Sequence, residues 1–113
     1  MTSQQLPNYL HANRKRLALS QAEVAFLLGV IDDGKVCRYE RFARAPTLEA
    51  ALACEVIFQR PMSELFAGTY QRVEAKVAAR AKVLAQRKGE GEAASRKRRI
   101  FTSLAKKAFI TNP

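Results

Sequence analysis

The side chains able to do chemistry in this chain are few, and their types point to charge recognition and away from bond making. Cys37 and Cys54 stand 17 positions apart, and His11 is the single histidine. A structural zinc site takes four closely spaced Cys or His ligands, so these three do not compose one. His11 lies beside Ala12 and Asn13 with no triad partner near it in sequence, and no Gly-rich phosphate loop is present. Aspartates and glutamates fall at helix caps and exposed helix positions instead of in a facing pair. The expectation is a protein that is not an enzyme and that takes no metal or cofactor. Both cysteines read as ordinary small side chains, since a chain with no export signal does not favour a disulfide.

Positive charge is what the sequence does supply. Twenty Lys/Arg against ten Asp/Glu leave a formal charge of +10 over 113 residues. Residues 1–68 hold eight cations and seven anions, whereas residues 69–113 hold twelve and three. An excess of this size points to a polyanion, usually nucleic acid. Its placement puts the generic attraction in the C-terminal third, so that any reading of sequence must come from elsewhere. No apolar run approaches the length of a membrane helix. Residues 1–10 lack the charged-then-apolar order of a signal peptide. The expected location is the cytoplasm.

The elements that must position these charges read as helices, with almost no strand alternation. A first helix is expected over Asn8–Leu17, with Pro7 at its start, where a missing N–H costs little. Ser20-Gln21-Ala22-Glu23 has the form of a capping box opening a helix over Gln21–Leu28, with Val24, Leu27 and Leu28 on one side. Gly29 supplies the left-handed residue that ends it. A third helix starts at Asp32 or Asp33 as N-cap and runs to Glu40. Thr47 caps a fourth over Leu48–Phe58, and Ser63 caps a short fifth over Glu64–Phe66, with Gly68 as separator. Thr69–Arg87 then reads as a long helix whose stripe is Tyr70, Val73, Val77, Ala81 and Leu84. Lys88–Glu92 is a hinge. Ser95 caps a last amphipathic piece with Ile100, Phe101, Leu104 and Ala108 opposite Lys97, Lys106 and Lys107.

Two short helices joined by a tight turn suggest the unit that sets one helix across a DNA backbone and the next in the major groove. The residues sharpen that suggestion. Arg14-Lys15-Arg16-Leu17-Ala18-Leu19-Ser20-Gln21-Ala22-Glu23-Val24-Ala25, then Leu28-Gly29-Val30, Val36-Cys37-Arg38-Tyr39-Glu40-Arg41 and Pro46-Thr47-Leu48-Glu49 resemble the Xre-type, phage-repressor-like helix-turn-helix family over about Leu10–Phe66. The resemblance implies that Gln21 touches phosphate and that Val36 buries the recognition helix. It makes Asp33, Gly34, Lys35, Cys37 and Arg38 groove-facing, and Arg41 and Arg44 contacts to the DNA backbone. Arg38 is the first choice for a base contact, because a guanidinium pairs with guanine O6 and N7 together; Lys35 is the second. Arg14 and Glu40 match positions that form a buried ion pair in similar proteins, and a carboxylate on an apolar face needs such a bidentate partner.

The sequence departs from the family pattern in three places. Five residues, Ile31 to Lys35, separate Val30 from Val36 where four are usual. Phe42 replaces the usual glycine after the recognition helix, so the exit must close differently. Asp32 and Asp33 put negative charge where phosphates approach; Asp33 either accepts from cytosine N4 or caps the helix. Arg96-Lys97-Arg98-Arg99 tracks phosphates, enters a minor groove as an arm, is a solvated tail, or, over 95–110, belongs to a membrane-surface helix. The stripe of 69–87 packs on its own domain or on a second copy.

Together these give an all-α chain: a five-helix repressor-like domain over 1–68, an amphipathic helix over 69–88, and a basic linker and tail over 89–113. The expected function is a sequence-specific transcriptional regulator, a repressor, binding double-stranded DNA as a homodimer and not associated with membrane. The alternative is a protein-interaction module, such as the antitoxin of a toxin–antitoxin pair, that grips a partner through 69–113.

Overall fold

A computed structural model describes residues 5–87 and 89–110, with side chains to 106. Lys88 and the side chains of Lys107 and Ala108, which enter the sequence reading, lie outside the described residues. Seven helices and no strand occur among them: α1 Leu10–Arg16, α2 Gln21–Leu28, α3 Gly34–Glu40, α4 Leu48–Phe58, α5 Met62–Leu65, α6 Ala67–Ala85 and α7 Glu92–Ile110. Among the described residues no helix is long and apolar enough to cross a membrane. The chain forms two compact units, Gln4–Tyr70 and Gln71–Pro113, with the boundary inside α6.

Local chemistry sets the limits of α2 and α4. Ser20 Oγ accepts from the Glu23 N–H at 3.0 Å and Glu23 Oε1 accepts from the Ser20 N–H at 2.8 Å, so both halves of the capping box are formed. Thr47 Oγ1 accepts from the Ala50 N–H at 3.1 Å and starts α4 at Leu48.

Tertiary partners displace the other boundaries. α1 begins at Leu10, two residues later than expected. Asn8 is buried; its Oδ1 accepts from the Leu10 N–H and its Nδ2 donates to the Tyr39 carbonyl, which diverts it from a helical turn. α5 starts at Met62 after Pro61 with no side-chain cap, so Ser63 is inside the helix and caps nothing. Gly68 is likewise no separator. It sits in the first turn of α6 with its N–H on the Leu6 carbonyl, where a Cβ would run into the backbone of Gln5 and Leu6. Ser95 is inside α7 and caps nothing; the expected amphipathic piece starts earlier, at Glu92, which the hinge was expected to hold.

The core of the first unit is Leu10, Val24, Ala25, Val36, Tyr39, Ala50, Cys54, Phe58 and Leu65, with Leu19, Leu28, Val30, Ile57 and Phe66 against it. On α2 the buried side is Val24, Ala25 and the half-buried Leu28, while Leu27 is exposed, contrary to the expected stripe. Burial pushes the Cys54 thiol up to about 11, so it remains a protonated core side chain. Arg16 donates from Nη2 to the Phe58 carbonyl at 2.9 Å and satisfies the C-terminus of α4.

In the second unit Ala78 and Ala81 are buried, and Glu74, Leu84 and Ala85 are half-buried. Tyr70, Val73 and Val77 of the expected α6 stripe are instead exposed. On α7, Phe101 and Leu104 are half-buried, whereas Ile100 faces solvent.

Candidate nucleic-acid interface

α3 is short, and its two sides differ in kind. Val36, Tyr39 and Glu40 are buried, while Arg38 is exposed and Lys35 and Cys37 are half-buried. Of the two expected starts, Asp33 holds the N-cap position but Asp32 supplies the side-chain hydrogen bond. Asp32 Oδ1 accepts from the Gly34 N–H at 2.8 Å, whereas the exposed Asp33 makes no side-chain cap. Asp32 Oδ2 also receives Arg38 Nη2 at 3.4 Å. The Gly34 N–H, foremost, and then Arg38 hold the Asp32 carboxyl below its ordinary range. The Asp32–Arg38 pair is exposed on both sides and easily opened, so it orients the guanidinium without burying it.

Behind α3 lies the arrangement that fixes its position. Arg14 donates from Nε to Glu40 Oε2 at 2.6 Å and from Nη2 to Oε1 at 3.1 Å, with Nη1 on the Leu19 carbonyl. Gln21 Nε2 donates to Glu40 Oε1 at 3.1 Å, and His11 Nδ1 stands 3.2 Å from the same oxygen. Burial by itself would raise the Glu40 carboxyl, but the hydrogen bonds from Arg14, Gln21 and His11 outweigh it and hold it below the usual carboxylate range. Glu40 in turn raises Arg14 against the opposing effect of burial. α1, α2 and α3 are thereby tied at one carboxylate. Gln21 is half-buried with its amide turned onto Glu40.

The exit of α3 brings two further cations alongside. Phe42 adopts φ +64°, its N–H donates to the Tyr39 carbonyl, and the Ala43 N–H donates to the Arg38 carbonyl at 2.9 Å. This is the paired hydrogen-bond closure that glycine normally serves, achieved with a phenylalanine in the left-handed region. The expected difference in closure is therefore absent; only the residue differs. The Arg44 N–H reaches the same Arg38 carbonyl at 3.3 Å, which folds Arg44 back over the end of α3. Arg41 and Arg44 are exposed and enter none of the ion pairs of the described residues.

Sequence reasoning singled out Arg14 and Glu40 but missed His11 as a member of their cluster. The available signal was its position one turn before Arg14 on the same helical face. It also missed an apolar patch at the α2–α3 turn, where Phe26 is 83% exposed and Ile31 fully so, lining a hollow with Ala22, Gly29, Val30 and Asp33. No group of three His, Cys, Asp or Glu side chains suited to a metal occurs among the described residues. Comparison with protein-family models, with curated proteins and with solved structures found no match to this chain.

Proposed function

We propose that the protein is a sequence-specific DNA-binding transcriptional regulator, a repressor acting by occlusion, with α3 in the major groove. On this reading α1–α5 are the repressor-like helix-turn-helix domain that the sequence resembles, with α2 crossing the backbone. One observation carries it: α3 is anchored through Val36, Tyr39 and Glu40 while Arg38 stays outside, with Arg41 and Arg44 exposed beside it. Arg38, with the half-buried Lys35, reads base edges, and Arg41 and Arg44 hold phosphates. A small domain buries limited surface on DNA, so useful affinity favours a homodimer on half-sites about 34 Å apart. A cytoplasmic location accompanies this role.

Selection of duplexes from a random pool, followed by binding of variants, tests the reading. Arg38→Ala is expected to relax preference at one base pair by about 1–3 kcal/mol. Arg44→Ala should weaken selected and random duplexes alike and flatten the salt dependence by about one unit of slope. Equal effects of both variants on both duplexes defeat the assignment.

The exposed Val73, Val77, Val83 and Ile100 favour a second reading, an antitoxin-like interaction module gripping a partner protein through 69–113. Co-purification of one defined partner, lost on Val73→Ser/Val77→Ser, supports it. The two roles coexist if DNA binding persists in that variant.

A further inference from the structure

α7 divides its side chains between two faces. Ala94, Phe101, Leu104 and Ala105 are half-buried, and Ala94 and Phe101 line a hollow with Leu84 and Arg87 of the same unit. Beside that hollow, and sharing only Arg98 with it, Ser95, Arg98, Arg99, Thr102, Ser103 and Lys106 line one shallow surface depression, and all six are exposed. Alternating steps of three and one keep them on one side of the helix over twelve residues, about 16 Å of axis. No acidic residue follows Glu92 anywhere in the sequence. The run Arg96–Arg99 is thus not a single patch. Arg99 joins the three hydroxyls and Lys106, Lys97 lines the hollow beside Leu84, and Arg98 stands at the edge between the two and borders both.

We propose that this stripe of α7 is a phosphate-binding surface that lies along the backbone of a nucleic-acid duplex and adds affinity without reading sequence; the choice of duplex DNA rests on the reading above. Guanidinium groups pair with phosphate oxygens bidentately, the Lys106 ammonium adds a point charge, and hydroxyls donate to the same oxygens. The stripe is long enough to meet several of the charges that a duplex carries every ~1.7 Å. An anionic membrane fits less well, because a helix lying in a bilayer surface must insert its apolar face. Phe101, Leu104 and Ala105 of α7 are already partly covered.

The test is Arg99→Ala/Lys106→Ala in the full chain. Arg98 is left in place because its Nη2 donates to the Gly89 carbonyl at 3.1 Å. Alanine favours helix, so helicity by circular dichroism should hold. Selected and random duplexes are both expected to lose affinity by the same factor, with the ratio between them unchanged. The salt slope should fall by about 1.8, so that between 50 and 200 mM salt the parent loses about tenfold more affinity than the variant. Ser103→Glu, which adds a carboxylate to the same face, should weaken both duplexes as well. An unchanged slope with a retained sequence preference overturns the stripe alone. A chain that prefers no sequence, but whose slope falls in the variant, removes the α3 reading and leaves the stripe standing. Loss of binding to phosphatidylserine vesicles with duplex binding untouched overturns the proposal in favour of a membrane.

Discussion

Glu40 is a side chain whose removal the first unit should feel strongly. Its side chain is 4% exposed and that of Arg14 is 8% exposed, so each depends on the other for solvation. Arg14→Ala or Glu40→Ala alone should cost about 3–5 kcal/mol, because the remaining charge is stranded in the core. Replacing both by apolar residues should recover most of that loss, measured by urea unfolding. The acid side follows from linkage. A carboxyl held below its ordinary value of 4.5 in the folded protein binds fewer protons than in the unfolded chain. Its contribution is complete above that value and is lost as pH falls through the depressed one. Asp32, also lowered, acts in the same direction. Unfolding midpoints should therefore drop below about pH 4.5, and drop less steeply in Glu40→Gln; equal acid profiles would remove Glu40 as a source.

At the scale of elements, the helix exits of the first unit show how conformation outruns composition. Gly29 ends α2 at φ +76°, but Ala18, Phe42 and Gln59 take left-handed angles at the ends of α1, α3 and α4. Ala18 and Leu19 donate to the carbonyls of Lys15 and Arg14, the same closure that Phe42 and Ala43 give α3. A residue with a Cβ costs about 1–2 kcal/mol there, while glycine loses more backbone entropy on folding. Ala18→Gly should thus gain about 0.5–1 kcal/mol. Ala12→Gly, in the exposed interior of α1, should lose about as much. Thermal melts that move in the same direction for both would contradict the left-handed exit. Glycine is the usual sequence sign of such an exit, so only the exit at Gly29 was legible beforehand. Gly68 misled in the opposite sense: its lack of a side chain serves close approach to Leu6 and ends no helix.

At the scale of the whole molecule, the two units differ in how much they bury. The first encloses Phe58, Leu65 and Cys54 completely, whereas in the second only Ala78 and Ala81 are buried among the described residues. Alanines remove little apolar area from water, so stabilisation at about 25 cal/mol per Å² is small there. Amide hydrogen exchange should be slowest in α4, around Cys54 and Phe58, and orders of magnitude faster through α7. Equal protection in both would mean that α7 is stabilised by something other than its own packing. The charge follows the same division: the well-packed unit carries nearly balanced charge, and the lightly packed one carries the basic excess.

What the sequence by itself determined are features closed within a few residues. The limits of α2 and α4 rest on Ser20, Glu23 and Thr47, each bonding backbone three positions away. The helical character of the chain and the location of its positive charge are likewise readable without coordinates. Tertiary structure alone decided where α1 begins, since Asn8 answers to Tyr39. It also decided which side of α6 is covered, and that His11 and Gln21 converge with Arg14 on Glu40. A cap is satisfied by its own neighbours, whereas a helix start or a buried charge is settled here by partners 19 to 31 residues away. Periodicity states that a helix has two sides, and only packing chooses which of them meets water.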